Sequence, residues 1–463
     1  MDKKSVTCYL EERSADFYDL SDKIWENAEI RFKENQSMED YAAFLENEGF
    51  RVVCGIGGVK TSLRAEWGRG KPVIGFLGEY DALPDLSQKA GIAVEEPVEK
   101  GGNGHGCGHN LLGVGALMGA VGFKKYLEEK GKEGTVVFFG CPAEEGGSGK
   151  TFMAREGCFD DLDCAFCWHP ATYNLIAPGT MLANCTIRYS FTGKASHAAS
   201  APEAGRSALD AIELMNVGIQ FLREHVPSTA RIHYAITDTG GISPNIVPAH
   251  ASGLYQIRAP FSPTVRDIYS RINDIAKGAA LMTGTEVKIE FLKGTSNTVL
   301  IPALDEIMYR NMCEIHNPVE DANDYDFAWD IVRTQVSDSQ IPDRPFDLEP
   351  KPYNRAGNIP ISGSSDTGDV SWVCPLSQFG SAVWPVGTAA HSWQAVACGK
   401  SDFAHKGTLF AGQVIAATAI DVYENPIVLV EAWKQFKEKT NGLPYNCPIP
   451  KEITADYLES AIT

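Results

Sequence analysis

The chain has 463 residues, more than one hydrophobic core usually serves and a length that suits two or three domains. Its composition is that of a globular protein, 44% hydrophobic and 22% charged, and a formal net charge of -19 argues against nucleic-acid or anionic-membrane partners. No apolar run reaches the roughly 18 residues of a membrane span, and none follows Met1-Asp2-Lys3-Lys4-Ser5 as a secretory signal would; the chain reads as cytoplasmic, with its 12 cysteines reduced and mostly buried.

From Ala15 to Gly49 apolar residues recur at three- and four-residue spacing, through Phe17, Leu20, Ile24 and Trp25 and again through Tyr41, Phe44 and Leu45. That periodicity predicts two helices, the second opening near Ser37. Thr61–Trp67 alternates as a strand does, and Pro72–Leu77 predicts a buried strand that delivers Gly78-Glu79-Tyr80-Asp81. Pro84–Asn103, polar and glycine-containing, reads as a loop. It leads into Gly104-His105-Gly106-Cys107-Gly108-His109-Asn110, after which Leu111–Glu129 predicts a helix with small residues on a packing face and Gly131 at its end. Thr135–Gly140 is a second buried strand, running into Cys141-Pro142-Ala143-Glu144-Glu145-Gly146-Gly147, and Cys164–Trp168 is a third, ending at His169-Pro170. Candidate side chains thus follow strands, as they do in an open α/β sheet whose site lies beyond the carboxyl ends of its strands.

The rhythm changes near residue 183. Strand Thr186–Thr192, helix Ser207–His225, strands Arg231–Thr237 and Ser252–Arg258, helix Val265–Met282 and strand Glu286–Leu292 follow the β-α-β-β-α-β order of a ferredoxin-like α+β unit. A helix over Pro302–Met312 restores the α/β character. Residues 183–296 are therefore expected as a domain inserted into a discontinuous one made of residues 1–182 and 297–463. Pro342–Gly363 reads as a loop, and His405–Tyr423 and Ile427–Thr440 as the last helices.

Cysteine and histidine hold borderline-soft transition metals. Cys107, His109, His169, His391 and one member of the Glu144-Glu145 pair make five ligands, too many for one open tetrahedral site and suited to two ions sharing a bridge. The other glutamate is then available as a general base. Each feature alone has a plainer reading: a Glu-Glu pair is usually a solvated surface feature, and a histidine before proline can simply end a strand. His105 is expected only to shape its turn. Cys164 and Cys167 have C-x-x-C spacing but no second pair, which leaves a redox role as a rival reading.

In this order, Gly104–Asn110, Cys141–Gly147, Trp168-His169-Pro170 and Gly387-Thr388-Ala389-Ala390-His391-Ser392 resemble the M20 metallopeptidases, in particular their amidohydrolase branch, subfamily D. Leu77–Pro84, Asn110 and Ser365–Trp372 are most similar to the p-aminobenzoyl-glutamate hydrolase group within it. The resemblance implies a zinc-peptidase-like catalytic domain with an inserted lid and dimerisation domain, and two divalent ions, zinc or manganese. Cys107, His109, Glu145, His169 and His391 would be the ligands, with Cys107 where many relatives carry a bridging aspartate; Glu144 would be the base and Asp81 would orient a ligand. It assigns His197, in Gly193–His197, to polarising the scissile carbonyl, and Asn245 and Arg258 to binding the substrate's oxyanion or carboxylate. Where most of the branch has Cys-Gly-His-Asp-x-His, this chain continues with Asn110-Leu111-Leu112, which weakens any substrate inference from auxin-type relatives. The implied activity is metal-dependent hydrolysis of an N-acyl amino acid such as p-aminobenzoyl-glutamate, or of a dipeptide, by a homodimer or by a hetero-oligomer with a related chain; a non-catalytic metal-binding subunit is the remaining alternative.

Overall fold

The apolar runs of the first part of the chain become neighbours in one sheet. The computed structural model describes residues 2–337, 340–359, 361 and 363–462. In chain order its strands are β1 (Arg51–Cys54), β2 (Leu63–Arg69), β3 (Val73–Glu79), β4 (Gly134–Cys141), β5 (Cys164–Ala171), β6 (Leu175–Ile176), β7 (Ala183–Thr192), β8 (Arg231–Asp238), β9 (His250–Ala259), β10 (Glu286–Thr295) and β11 (Leu376–Ala382). The chain divides into two units, Met1–Thr180 with Val299–Pro360 and Asp369–Tyr445, and Met181–Thr298 with Ile361–Gly368 and Asn446–Thr463.

The first unit holds a seven-stranded sheet in the order β1-β2-β4-β3-β5-β11-β6. β4, β3, β5 and β11 run parallel, while β1, β2 and β6 are antiparallel to their neighbours. β3 and β4 are buried at every position, as central parallel strands covered on both faces must be. Helix His109–Lys130 packs on β3, β4 and β5 and against helix Asp402–Glu424. It begins two residues before the predicted start, so His109 lies in its first turn. Gly108 permits this: it adopts φ 72°, and a Cβ there would stand 2.9 Å from both Pro170 and Trp384.

β5 also runs past its predicted end. Parallel pairing with β11 carries it through His169 and Pro170, with His169 opposite Gly380. Helices Gly149–Arg155 and Tyr325–Arg333 are not expected from the sequence, being too short for a periodic pattern to declare them, nor is β11, whose apolar run is broken by Ser377, Gln378 and Ser381. In the predicted loop Pro342–Gly363 the described residues form no helix or strand, only single bridges from Asp347 to Tyr173 and from Asn358 to Gly179; Pro360 and Ser362 lie outside the described residues.

The second unit holds an antiparallel sheet in the order β10-β7-β9-β8, the arrangement of the ferredoxin-like fold. Helices Ala208–Arg223 and Ser262–Thr283 pack on it and on each other, and burial alternates along β7 and β9, the signature of a sheet covered on one face. The tail differs from the sequence expectation. Asn446–Thr463 groups with this unit instead of the first: Arg266 Nη1 donates to the Asn446 carbonyl at 3.1 Å, and helix Ala455–Ile462 packs on β10. No single helix among the described residues is long and apolar enough to cross a membrane.

Helix His109–Lys130 packs tightly on β5 at Trp168. A Cβ on Gly115 would stand 2.5 Å from the indole nitrogen of Trp168, a buried ring whose N–H donates to the Leu112 carbonyl at 2.9 Å. Gly115→Val is expected to destabilise the fold by about 1–3 kcal/mol through overpacking, read as a lower urea midpoint; an unchanged midpoint would contradict this account of the helix–sheet contact.

Candidate metal centre

Asp81 follows β3, Glu144 and Glu145 follow β4, His169 lies near the end of β5, and His391 follows β11; Cys107 and His109 flank Gly108 at the start of helix His109–Lys130. All belong to the first unit. Three sets of ligand atoms lie within 4.8 Å of one another: Cys107, His109 and His169; Cys107, Glu145 and His391; and His109, Glu144 and Glu145. The Cys107 thiol joins the first two sets, 3.5 Å from His169 Nε2.

Hydrogen bonds from behind fix the rings. His109 Nδ1 lies 3.0 Å from Asp81 Oδ1 and 3.1 Å from the Asp81 carbonyl, so its N–H points away from the cluster and leaves Nε2 facing it. His169 Nδ1 likewise donates to the Pro170 carbonyl at 2.8 Å. The other oxygen of Asp81 accepts the Glu145 N–H at 2.8 Å, so one carboxylate orients two members of the cluster. Glu145 is held as a carboxylate: burial would raise its pKa, but His391, at 3.1 Å, with His109 and Cys107, lowers it to about 2. His391 is 53% exposed, which puts the open side of the cluster there.

The donor set fits divalent metal ions. Among the described residues His109 Nε2, Glu79 Oε2 and Glu145 Oε1 are buried without a hydrogen bond. Yet His109 Nε2 lies 3.2 Å from Glu79 Oε2, and Glu145 Oε1 lies 3.1 Å from His391 Nε2. Ring nitrogens and carboxylate oxygens facing one another without a hydrogen bond in this way are what a cation among them satisfies.

Sequence reasoning misses the pair beneath the cluster. Glu79 Oε1 meets the ammonium of wholly buried Lys150 at 2.7 Å. Burial would push the Glu79 carboxyl up, but Lys150, His109 and His169 bring it below its ordinary value. Glu79 lies in a family-like motif but carries no expected role there, and nothing local marks Lys150. Asn110, the departure from the branch pattern, is a buried tie, its amide donating to Ser21 Oγ at 3.1 Å and the Gly399 carbonyl at 3.0 Å. His105 Nε2 meets the Ile24 carbonyl at 2.9 Å, and burial lowers its pKa to about 3, a neutral ring bracing the turn. Cys164 and Cys167 sit three apart on β5, where side chains alternate between faces, and burial pushes both thiols well up. That arrangement does not suit a redox pair.

His197, Asn245 and Arg258 lie in the second unit. His197 is exposed, and its Nδ1 accepts the N–H groups of Ala199 and Ser200, each at 3.2 Å. The Ala198 N–H donates to the Asn245 carbonyl at 2.9 Å, which brings the two motif segments side by side. Arg258 projects from β9, with Nη2 3.4 Å from Gln256 Oε1.

Residues 75–343 match the model of Peptidase family M20/M25/M40. The chain belongs to the M20 peptidase family. It is 44% identical over 464 residues to the B-type subunit of p-aminobenzoyl-glutamate hydrolase from Escherichia coli (strain K12), covering 96% of each chain. It is 30% identical over 440 residues to the Xaa-Arg dipeptidase of Mus musculus, covering 91% of this chain and 88% of that one. A dinuclear metal-binding M20 peptidase of Bacillus subtilis has the same fold, with a TM-score of 0.55 at 16% identity over 89% of this chain and 99% of that one. As an M20 member the protein is a hydrolase of amide bonds, in a family that binds two metals.

Removing one partner of a buried ion pair strands the other. Lys150→Met is expected to cost about 3–5 kcal/mol in urea unfolding of the metal-free protein, and Glu79→Gln/Lys150→Met to recover much of it; a double variant no more stable than the single would refute the pairing.

Proposed function

We propose that this M20 hydrolase cleaves the amide of an N-acyl amino acid whose amine product carries a free carboxylate. The name of the Escherichia coli relative supports p-aminobenzoyl-glutamate, and that of the mouse relative supports a dipeptide as the second reading. The observation that carries the proposal is Cys107 joining two three-ligand sets with Glu144 beside them.

Two divalent ions, zinc favoured by the thiolate and manganese tolerated by the carboxylates, would be held by Cys107 with His109 and His169 and by Cys107 with Glu145 and His391, where they would polarise the amide carbonyl and acidify water. Glu144, 9% exposed and adjoining His109 and Glu145, takes the proton of the attacking water and passes it to the leaving nitrogen. Asp81 keeps His109 in the tautomer that presents Nε2. Because His197 Nδ1 accepts two backbone N–H groups, the neutral ring carries its proton on Nε2, the form that donates to a developing oxyanion. Asn245 and Arg258 bind the substrate's oxyanion or carboxylate, for which a permanently charged, forked guanidinium is suited. The 12 free thiols support a reducing, cytoplasmic setting.

For assembly we infer a homodimer through the second unit. β8 is an edge strand with Tyr234 and Ile236 exposed, and helix Ala208–Arg223 exposes Leu214, Val217 and Phe221. An edge strand can pair with its own copy about a two-fold axis, satisfying both edges at once. That the Escherichia coli relative is named as one subunit of its hydrolase supports a hetero-oligomer as the alternative.

Glu144→Gln is expected to keep the metal content and lose hydrolysis of p-aminobenzoyl-glutamate by at least about 100-fold, while Cys107→Ala loses both metals by elemental analysis. Hydrolysis retained in Glu144→Gln would sink the mechanism; no turnover by the purified wild-type chain on N-acyl amino acids or dipeptides would favour a non-catalytic role. Light scattering should show a dimer for the wild type and a monomer for Val217→Glu/Phe221→Glu, and a wild-type monomer would remove the dimer.

A further inference from the structure

Between helices Ser14–Asn27 and Asn35–Asn47 the chain makes a short excursion that carries none of the candidate residues, yet it touches two of the segments that build the cluster. The Glu29 carbonyl accepts the Ala82 N–H at 2.8 Å, beside Asp81. Glu34 is wholly buried; its Oε1 accepts the Ala143 N–H at 2.8 Å, and its Oε2 bonds the Thr61 hydroxyl at 2.7 Å. Ala143 adopts φ 59°, the left-handed region that a residue with a Cβ avoids. It immediately precedes Glu144. On the other side of Glu144, the Glu145 N–H is taken by Asp81 at 2.8 Å. The amides flanking Glu144 thus both end on carboxylates from other segments, and the Ala143 carbonyl closes the turn by accepting the Gly147 N–H at 3.0 Å.

We propose that Glu34 is a positioning residue for the reaction: by holding the Ala143 N–H it keeps that residue left-handed and so sets the direction in which the Glu144 carboxylate projects. This rests on the reading of Glu144 as the base. Backbone that is intrinsically disfavoured persists only where its surroundings over-determine it, and a buried N–H whose acceptor is lost leaves an unsatisfied donor, so the Glu34 contact is a strong restraint. Without it Ala143 relaxes towards negative φ, and the rotation is passed directly to the next residue. The ligands are anchored elsewhere, Cys107 and His109 about Gly108, His169 on β5 and Glu145 through Asp81, so metal binding should survive the loss of Glu34.

The test compares Glu34→Ala, Glu34→Asp and Glu34→Ala/Ala143→Gly with wild type, measuring metal content, KM and kcat. Glu34→Ala should keep the wild-type metal content and a KM within about twofold while kcat falls by at least about tenfold, the loss that misplacing a general base produces. Glu34→Asp keeps the carboxyl group but draws the acceptor back from Ala143 by one methylene; it should show the same kcat loss, and decides the matter should Glu34→Ala fail to fold. Adding Ala143→Gly should restore most of kcat, because glycine occupies positive φ without a restraint, an outcome that a merely structural Glu34 would not produce. Wild-type kcat in the folded variants, loss of metal with loss of activity, or no rescue by Ala143→Gly would each overturn the proposal. An inactive Glu144→Gln beside a fully active Glu34→Asp would remove the clamp and leave the base in place; an active Glu144→Gln would remove the base.

Discussion

Five carboxylates, Glu34, Glu79, Asp81, Glu144 and Glu145, are gathered at one end of the first unit's sheet, each nearly or wholly out of water. Burying that much like charge is costly unless each group meets a cation or several donors. The local structure follows from this requirement. Glu79 takes Lys150; Asp81 takes His109 and the Glu145 amide; Glu34 takes the Ala143 amide and Thr61; Glu145 takes His391. Arg31 adds its charge to the field of Asp81, Glu145 and Glu34 and reaches the Glu145 carbonyl at 3.4 Å. His109 Nε2, Glu79 Oε2 and Glu145 Oε1 face charged or ring-nitrogen neighbours without a hydrogen bond, an arrangement that suits a cation among them.

The sheet makes such a gathering possible. β3, β4, β5 and β11 run parallel and side by side, so segments distant in sequence leave the same edge and their carboxyl ends share one space. A parallel strand buried on both faces needs an unbroken apolar run, which is why Pro72–Leu77, Thr135–Gly140 and Cys164–Trp168 are legible from the sequence alone. The motifs beyond those runs are legible for a related reason: Cys107, His109, the glutamate pair and His169 are rare residue types close to strand ends. His391 follows a strand whose apolar run is broken by Ser377, Gln378 and Ser381, and only the family pattern points to it.

Residues whose meaning lies in a partner far along the chain are not legible in this way. Lys150 sits at the start of a seven-residue helix and matters only because Glu79 is opposite it. Glu34 looks like one more acid in a charged stretch, and its importance comes from an amide contributed by Ala143. The positive φ of Ala143 leaves no trace in composition, since alanine is not the residue that a left-handed position selects. The tail Asn446–Thr463 departs from expectation for the same reason: nothing in its polar composition foretells packing on β10.

The cluster is asymmetric. His109 is fully buried and pinned from behind by Asp81, whereas His391 is about half exposed and adopts φ 62° in a loop. The Cys107 sulfur is the atom common to the set on each side. Its burial pushes the thiol's pKa well up despite the opposing pull of His109, with Glu145 adding to the rise. The sulfur is set between a histidine pinned out of water and one that is half exposed.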